Sequence, residues 1–279
     1  MNKTLFFLLV SVLMLFSVKS FSQGKNKSEG STVYDMVDPK TMEIDGDFYM
    51  ESYKANANAK VKKIDVNVQA DAKFFNAPNL TFRYGLGKNL EMQVITGYTG
   101  VLTNGNVVIR TKKNIAISVN KNVTGLDALG LGLKVGLFSN KGSRPSAAIT
   151  GIMTLPNVGV PLFAPNNVGS EFDLDLYNEL SDDFDLQYGA GIVWTGFNED
   201  AHPSYLYGIT PGLNLSDFAG LYLDLNGSLE KGVSTDNRID LDLSFALNDN
   251  ITLDVYAGTS FNIKKFYFIG SSFTATIPF

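Results

Sequence analysis

From Ile239 to Leu247 the chain alternates without a break. Ile239, Leu241, Leu243, Phe245 and Leu247 are apolar, while Asp240, Asp242 and Ser244 between them are polar. Successive side chains of a strand point to opposite sides, so this spacing builds one greasy face and one charged face. On a helix the same residues would be smeared around the circumference. The pattern recurs where Leu221, Leu223, Leu225 and Leu229 alternate with Tyr222, Asp224, Asn226 and Ser228. It returns where Ile251, Leu253, Val255 and Ala257 alternate with Thr252, Asp254 and Gly258, and where Phe172, Leu174 and Leu176 flank Asp173 and Asp175. Leu129 to Leu137 sets its leucines and Val135 against Gly130, Gly132, Lys134 and Gly136. The longest run, Ile64 to Leu86, puts Val66, Val68, Phe74, Leu80, Phe82 and Tyr84 on one face. Asp65, Asn67, Gln69, Asp71, Lys73 and Arg83 fall on the other. A strand of that length overshoots an apolar band of about 25 Å, so its first part is expected to project above a membrane.

A soluble β-sandwich also alternates. The polar face here carries repeated Asp and Gly, which suits a wetted interior. The connections, moreover, differ in a regular way. Every second one is short: Leu86–Asn89, Ser139–Pro145, Leu180–Asp183, Leu215–Gly220 and Leu247–Asn250. Asn, Asp, Ser and Gly favour tight turns because they tolerate positive φ or bond their own backbone. Between them lie more variable connections at Thr99–Val123, Asn157–Gly169, Gly196–Pro203, Lys231–Asn237 and Asn262–Lys265. Short turns alternating with longer loops is the asymmetry of outer-membrane barrels. With a first strand near Asp47–Lys54, the hairpins give about twelve strands, an all-β, transmembrane, antiparallel up-and-down barrel with both termini on the periplasmic side.

Composition agrees. Hydrophobic residues make up 44% and charged residues only 18%, with abundant Gly, Phe and Tyr. Beyond the N-terminus no apolar run approaches the ~18 residues of a membrane-spanning helix. A net charge of −5 without a basic cluster argues against nucleic acid as a partner. At the front, Lys3, an apolar stretch from Leu5 to Val18, and Ser20 and Ser22 before Gln23 form the layout of a cleavable secretory signal peptide. Absence of cysteine excludes a lipoprotein anchor. The expected division is a signal peptide over 1–22, a periplasmic segment over 23–46 and a barrel over 47–279, placed in the outer membrane of a Gram-negative cell. Tyr98, Phe172, Trp194, Tyr205, Tyr207, Phe261 and Tyr267 all fall at strand ends beside the longer loops, where an interfacial girdle belongs.

The last strand puts Ile269, Phe273, Ala275, Ile277 and Phe279 on one face and stops on the aromatic. It resembles the terminal signal by which barrel substrates are taken up. Phe273, Ile277 and Phe279 are therefore the residues expected to address the barrel assembly machinery, with outer-membrane lipid as the other partner.

On the inward face, Arg83 and Glu91 lie across the Leu86–Asn89 turn and are expected to form an ion pair. Lys134 lies near them. Asp173, Asp175, Asp185, Asp224, Asp240, Asp242 and Asp254 line the later strands with few cations opposite. These are the candidate lumen residues, and their surplus negative charge would favour cations. No nucleotide, zinc-protease, EF-hand or Cys–His metal spacing is present, so no cofactor, metal or catalytic residue is expected. The single histidine, His202, stands near Glu199 and Asp200 before Pro203. It could act as the base of a lipase- or protease-like site. A solvated loop residue is the plainer reading. Three functions stay open: a barrel passing an unidentified small solute, an outer-membrane enzyme, and a structural or surface-binding barrel.

From about Phe75 onward the chain resembles the transporter-like outer-membrane barrels grouped under the meta-pathway of phenol degradation. The resemblance is carried by NAPNLTFRYGLGKNLEMQV (Asn76 to Val94) and LGLGLKVGLFSNKGSRPSAAITGIMTLP (Leu129 to Pro156), and by the cadence around Tyr205 to Asn214. The acidic, arginine-bearing stretch near the family's mature N-terminus has no counterpart in Val33 to Asp47. The resemblance implies passage of small molecules, hydrophobic or aromatic compounds among them.

Overall fold

The computed structural model describes residues 36–61, 64–110, 115–138, 145–197, 202–231, 235–263 and 266–279. The expected signal peptide and most of the segment ahead of the barrel lie outside the described residues, as does nearly all of the Ser139–Pro145 turn.

The first strands are long: β1 (Thr41–Val61), β2 (Ile64–Gly87) and β3 (Leu90–Arg110). Next come β4 (Ile115–Leu126), β5 (Gly130–Phe138), β6 (Ser146–Thr154) and β7 (Gly169–Ser181). They are followed by β8 (Phe184–Trp194), β9 (Ser204–Ser216), β10 (Ala219–Glu230) and β11 (Asp236–Asn248). β12 (Ile251–Ser260) and β13 (Tyr267–Pro278) complete the sheet. All neighbours pair antiparallel, and β13 returns to β1 from Thr41↔Pro278 to Ser52↔Tyr267. β4 and β5 share one place in the ring. β3 pairs with β5 over Leu90–Ile95 and with β4 over Tyr98–Ile109. The thirteen strands therefore make a closed barrel of twelve staves, as the hairpin count implied.

The tight turns fall at Lys88–Asn89, Asp182–Asp183, Asp217–Phe218 and Asp249–Asn250, all at one end. At the other end β1 and β2 continue past the last β1–β13 pair, from Tyr53 to Val61 against Ile64 to Ala72. At about 3.3 Å per residue that is roughly 30 Å of strand beyond the wall. With the upper parts of β3 and β4 it forms a four-stranded tongue, in keeping with the expected projection of the Ile64–Leu86 run. The tongue also corrects one expectation. Thr99–Val123 is not a variable loop, because the described residues from Gly100 to Arg110 and from Ile115 to Val123 are strand. The Asn104-Gly105-Asn106 stretch reads locally as a turn, yet it pairs with Gln69–Asp71 and with Ser118–Asn120. A partner ladder on both sides outweighs the local preference.

One irregularity reorients β2. Asn76 faces Tyr49 and Thr99, but Asn79 faces Asp47 and Gly97, so Ala77 and Pro78 insert one extra residue against both neighbours. Proline has no N–H to give a ladder, and a bulge is where a sheet accepts it. The extra residue switches faces. Phe74 is buried within the barrel above the bulge, whereas below it Arg83 points in and Phe82 points out. The single greasy face expected for Phe74 and Phe82 together does not exist.

Polarity is inverted relative to a water-soluble core. The inner face buries Glu91 at 0% exposure, Asp254 at 0% and Asp242 at 1%. Leu241, Leu243, Leu253, Val255 and Ile269 stand exposed on the outer face. The girdle candidates Tyr98, Phe172, Trp194, Tyr205, Tyr207, Phe261 and Tyr267 are exposed too. No helix among the described residues is long and apolar enough to cross a membrane.

Placing Arg at the bilayer midplane of a barrel wall costs about 2–4 kcal/mol. Leu243→Arg is therefore expected to lower the yield of heat-modifiable barrel in outer-membrane fractions. Ser244→Arg is expected to be tolerated, because Ser244 is buried beside the Asp254 position it pairs with. Equal yields, or the reverse order, would contradict the facing.

Candidate functional site

The barrel interior is the candidate site, and three levels of charge organise it. Nearest the tight turns, Arg83 (β2) meets Glu91 (β3) through two parallel contacts. Its Nε donates to Oε1 at 2.7 Å and its Nη2 to Oε2 at 2.9 Å. The two residues flank the Lys88–Asn89 turn, and that hairpin brings them together. Arg83 also holds Glu43 of β1, and Asp45 lies 4.0 Å away. Gln93 Nε2 donates to Glu91 Oε1 at 2.8 Å. Lys134 is buried on the β5 position that pairs with Glu91. Fork-to-fork guanidinium–carboxylate contact is the strong form of this bond.

Glu91 has a further task. Val37 N–H donates to its Oε2 at 3.1 Å, and Val37 is buried. The segment ahead of β1 thus crosses the inner wall. Lys40 N–H donates to Gly85 O at 3.0 Å, and the Val37 and Asp38 carbonyls lie over Gly85 of β2. Met36 lies over Gly136 of β5, its Cγ only 3.3 Å from where a Cβ would stand. Two inward glycines leave the space through which this strap passes. Sequence reading missed the strap because its anchors come from β2, β3 and β5, none of them adjacent in sequence to Met36.

The middle level is acidic. Asp224 (β10) and Asp240 (β11) are register partners. Asp242 and Asp254 are buried beside them on β11 and β12, and Asp175 is buried on β7; Asp185 of β8 is buried nearer the tight turns, two residues past Asp183. Asp173 is half-buried on β7. Neutral donors hold several of these carboxylates: Thr210 to Asp224, and Ser272 Oγ to Asp254 Oδ2 at 2.8 Å. Asp240 Oδ2, Asp185 Oδ1 and both ends of the Gln187 amide lack a protein partner among the described residues. No group of three His, Cys, Asp or Glu among the described residues could hold a metal ion.

The third level lies toward the tongue and was not anticipated. Arg238 sits at the start of β11, one residue past the stretch read as loop. Its Nε donates to Asp236 Oδ2 at 3.0 Å, its Nη1 donates to the Tyr49 hydroxyl at 3.0 Å, and its Nη2 is 3.5 Å from Glu51. The guanidinium stands 4.8 Å from the Phe266 ring centroid and 5.7 Å from that of Phe268. Tyr49, Phe74, Tyr256, Phe266 and Phe268 form a buried aromatic cluster on the inner face. An arginine therefore stands among the later acidic strands, where few cations were expected. The signal was available in the Asp236–Arg238–Asp240 alternation, which continues the β11 pattern upstream.

Beside this level the β6–β7 connection folds inward. Val160 N–H donates to Leu126 O at 2.9 Å and Asn167 N–H to Gly196 O at 2.9 Å. The connection is tied to both sides, and Phe163 at its centre is 1% exposed. A cavity of about 150 Å³ remains under it. His202 is exposed ahead of β9, and the Glu199 and Asp200 beside it in sequence lie outside the described residues.

A scan of protein-family models finds no match to the chain, and a search of curated proteins finds none either. Among solved structures, an outer membrane channel from Pseudomonas putida F1 matches with a TM-score of 0.59 and 11% identity. The match covers 88% of this chain and 98% of that one. The CymD monoaromatic hydrocarbon channel matches at 0.45 and 9% identity, over 89% and 90%. The KdgM porin matches at 0.46 and 11%, over 83% and 98%. The first of these likenesses bears on the fold alone, that of a closed antiparallel β-barrel.

The strap can be tested directly, because the chain has no cysteine of its own. Val37→Cys is expected to react slowly with a hydrophilic maleimide. Adding Gly85→Ala, whose methyl would collide with the Val37 and Asp38 carbonyls, is expected to speed labelling by about tenfold, equivalent to about 1.4 kcal/mol of lost docking. Equal rates in the two backgrounds would mean that the strap is not held at the mouth.

Proposed function

We propose that this chain is an outer-membrane channel for small solutes, hydrophobic or aromatic compounds among them, belonging with the meta-pathway-of-phenol-degradation barrels. Its passage is acidic and favours cations. The observation that carries this reading is the inner face. A closed barrel with an apolar exterior buries Asp175, Asp185, Asp224, Asp240, Asp242 and Asp254, while Asp185 Oδ1 and Asp240 Oδ2 meet no protein donor among the described residues. A barrel that served only as a scaffold would gain nothing from a wet, charged interior, since burying polar groups without partners is costly. Charge on a narrow low-dielectric wall concentrates counter-ions. Among the described residues, Arg83 and Lys134 stand beside Glu91, and Arg238 stands beside Asp236 and Glu51. An exposed His202 on an outer connection gives the enzyme reading no support from the interior.

The purified barrel is expected to conduct in planar bilayers, with a reversal potential under a salt gradient that reports cation preference. Raising the salt should weaken the preference, because screening shortens to about 3 Å at 1 M. Asp240→Asn with Asp242→Asn should weaken it as well. Anion selectivity would contradict the acidic passage, and conductance no greater than that of protein-free bilayers would contradict passage itself.

A further inference from the structure

We infer that the cavity under the inward-folded β6–β7 connection is a binding site for a small organic cation, an ammonium carried on a single ring or a short apolar body. The inference deepens the passage reading by naming a class of solute, and it rests on that reading for the solute's route.

The cavity is lined by Phe74 of β2, Phe163 of the connection, Phe197 beyond β8 and Ile152 of β6, together with the carboxylates of Asp127 and Glu171. Its volume of about 150 Å³ is of the order that accommodates one benzene-sized ring. Size alone would admit a neutral hydrocarbon. The charges narrow the choice. Neither lysine, arginine nor histidine is among the lining residues. Ionised carboxylates only accept hydrogen bonds. Among the described residues, the donors that reach Asp127 are the neutral Thr99 Oγ1 at 3.1 Å and Ala128 N–H at 2.7 Å, and no cation is among them. Aromatic faces attract a cation and repel an anion through the ring quadrupole. The rings and the Asp127 carboxylate around one ring-sized space therefore agree on an apolar body bearing a positive, donor-rich group. An aromatic carboxylate of the same size is excluded by the same charges.

The site is also held in shape. Phe163 N–H and Ala164 N–H both donate to Val160 O, at 2.7 and 2.8 Å, and Asn157 N–H donates to Pro165 O at 2.9 Å. Phe163 is thereby fixed before a ligand arrives, and little ordering is left to oppose binding.

Benzylammonium, benzyl alcohol and benzoate share one ring and differ in charge, which makes them the probes. Calorimetric titration of the full barrel in a detergent without aromatic groups is expected to show saturable binding of benzylammonium. Benzyl alcohol should bind about tenfold more weakly and benzoate not at all, the difference of about one charge-assisted contact. Asp127→Asn should lower the ratio of cation to alcohol affinity several-fold in protein that still shows heat-modifiable migration. Phe163→Ala should weaken both ligands together. Binding of benzoate or benzyl alcohol as tight as the cation, no binding of any probe, or an unchanged ratio in the Asp127→Asn variant would overturn the inference. Conductance of the same preparation separates the two readings. A barrel that conducts without binding the cation loses only this site. One that binds the cation but does not conduct keeps the site and loses the passage.

Discussion

Every backbone N–H and C=O within a hydrocarbon layer must find its partner inside the protein, and in this chain the closed ladder supplies it. The pairing of β13 with β1 from Thr41↔Pro278 to Ser52↔Tyr267 is the seam on which closure depends. Phe279 adds its own N–H to Lys40 O at 3.0 Å at the end of that seam. Once the ring is closed, the two-residue period forces each side chain to face either lipid or the interior. The leucines and the aspartates of β10, β11 and β12 then have only one consistent arrangement. Charges gather where water is, and the greasy residues of the same strands become the exterior.

Two adjoining departures of the ladder from regularity serve the interior. The Ala77–Pro78 bulge turns Phe74 and Asn76 inward above it and Arg83 inward below it. Alongside, the stave of β4 and β5 breaks at Asp127–Leu129, where Asp127 N–H still reaches Gly97 O at 2.8 Å. Thr99, Asn76 and Asp127 meet there through the Thr99 hydroxyl. The level at which the wall narrows into the tongue is thus also the level at which the cavity opens and the β6–β7 connection folds in.

The alternation makes the class of fold, the strand number and the facing of most later strands legible in the sequence. The Arg83–Glu91 pair was legible too, because a tight turn sets its two flanks opposite each other. What escaped has a common physical cause. The Phe74 face was misread because one inserted residue reverses every side chain beyond it, and a proline within a long run marks the place only in hindsight. The Thr99–Val123 stretch looked like loop because Asn104-Gly105 favours a turn in isolation, whereas β2 and β4 supply it with partners. The strap over Gly85 and Gly136, the Arg238 cluster and the cavity under Phe163 all join residues distant in sequence. Pairing across several strands brings the first and the last together, and closure of the ring brings Arg238 to Tyr49.

Inverted polarity is the claim on which the account stands, and β11 offers the most direct test. A nitroxide can be placed singly at Leu241, Asp242, Leu243 and Ser244 through cysteine substitution in the reconstituted barrel. Collisions with oxygen report lipid, and collisions with a water-soluble nickel chelate report water. Oxygen access high at Leu241 and Leu243 and low at Asp242 and Ser244, with the nickel chelate reversed, is the predicted result. Nickel access at Leu241 and Leu243 equal to or above that at Asp242 and Ser244 would contradict it.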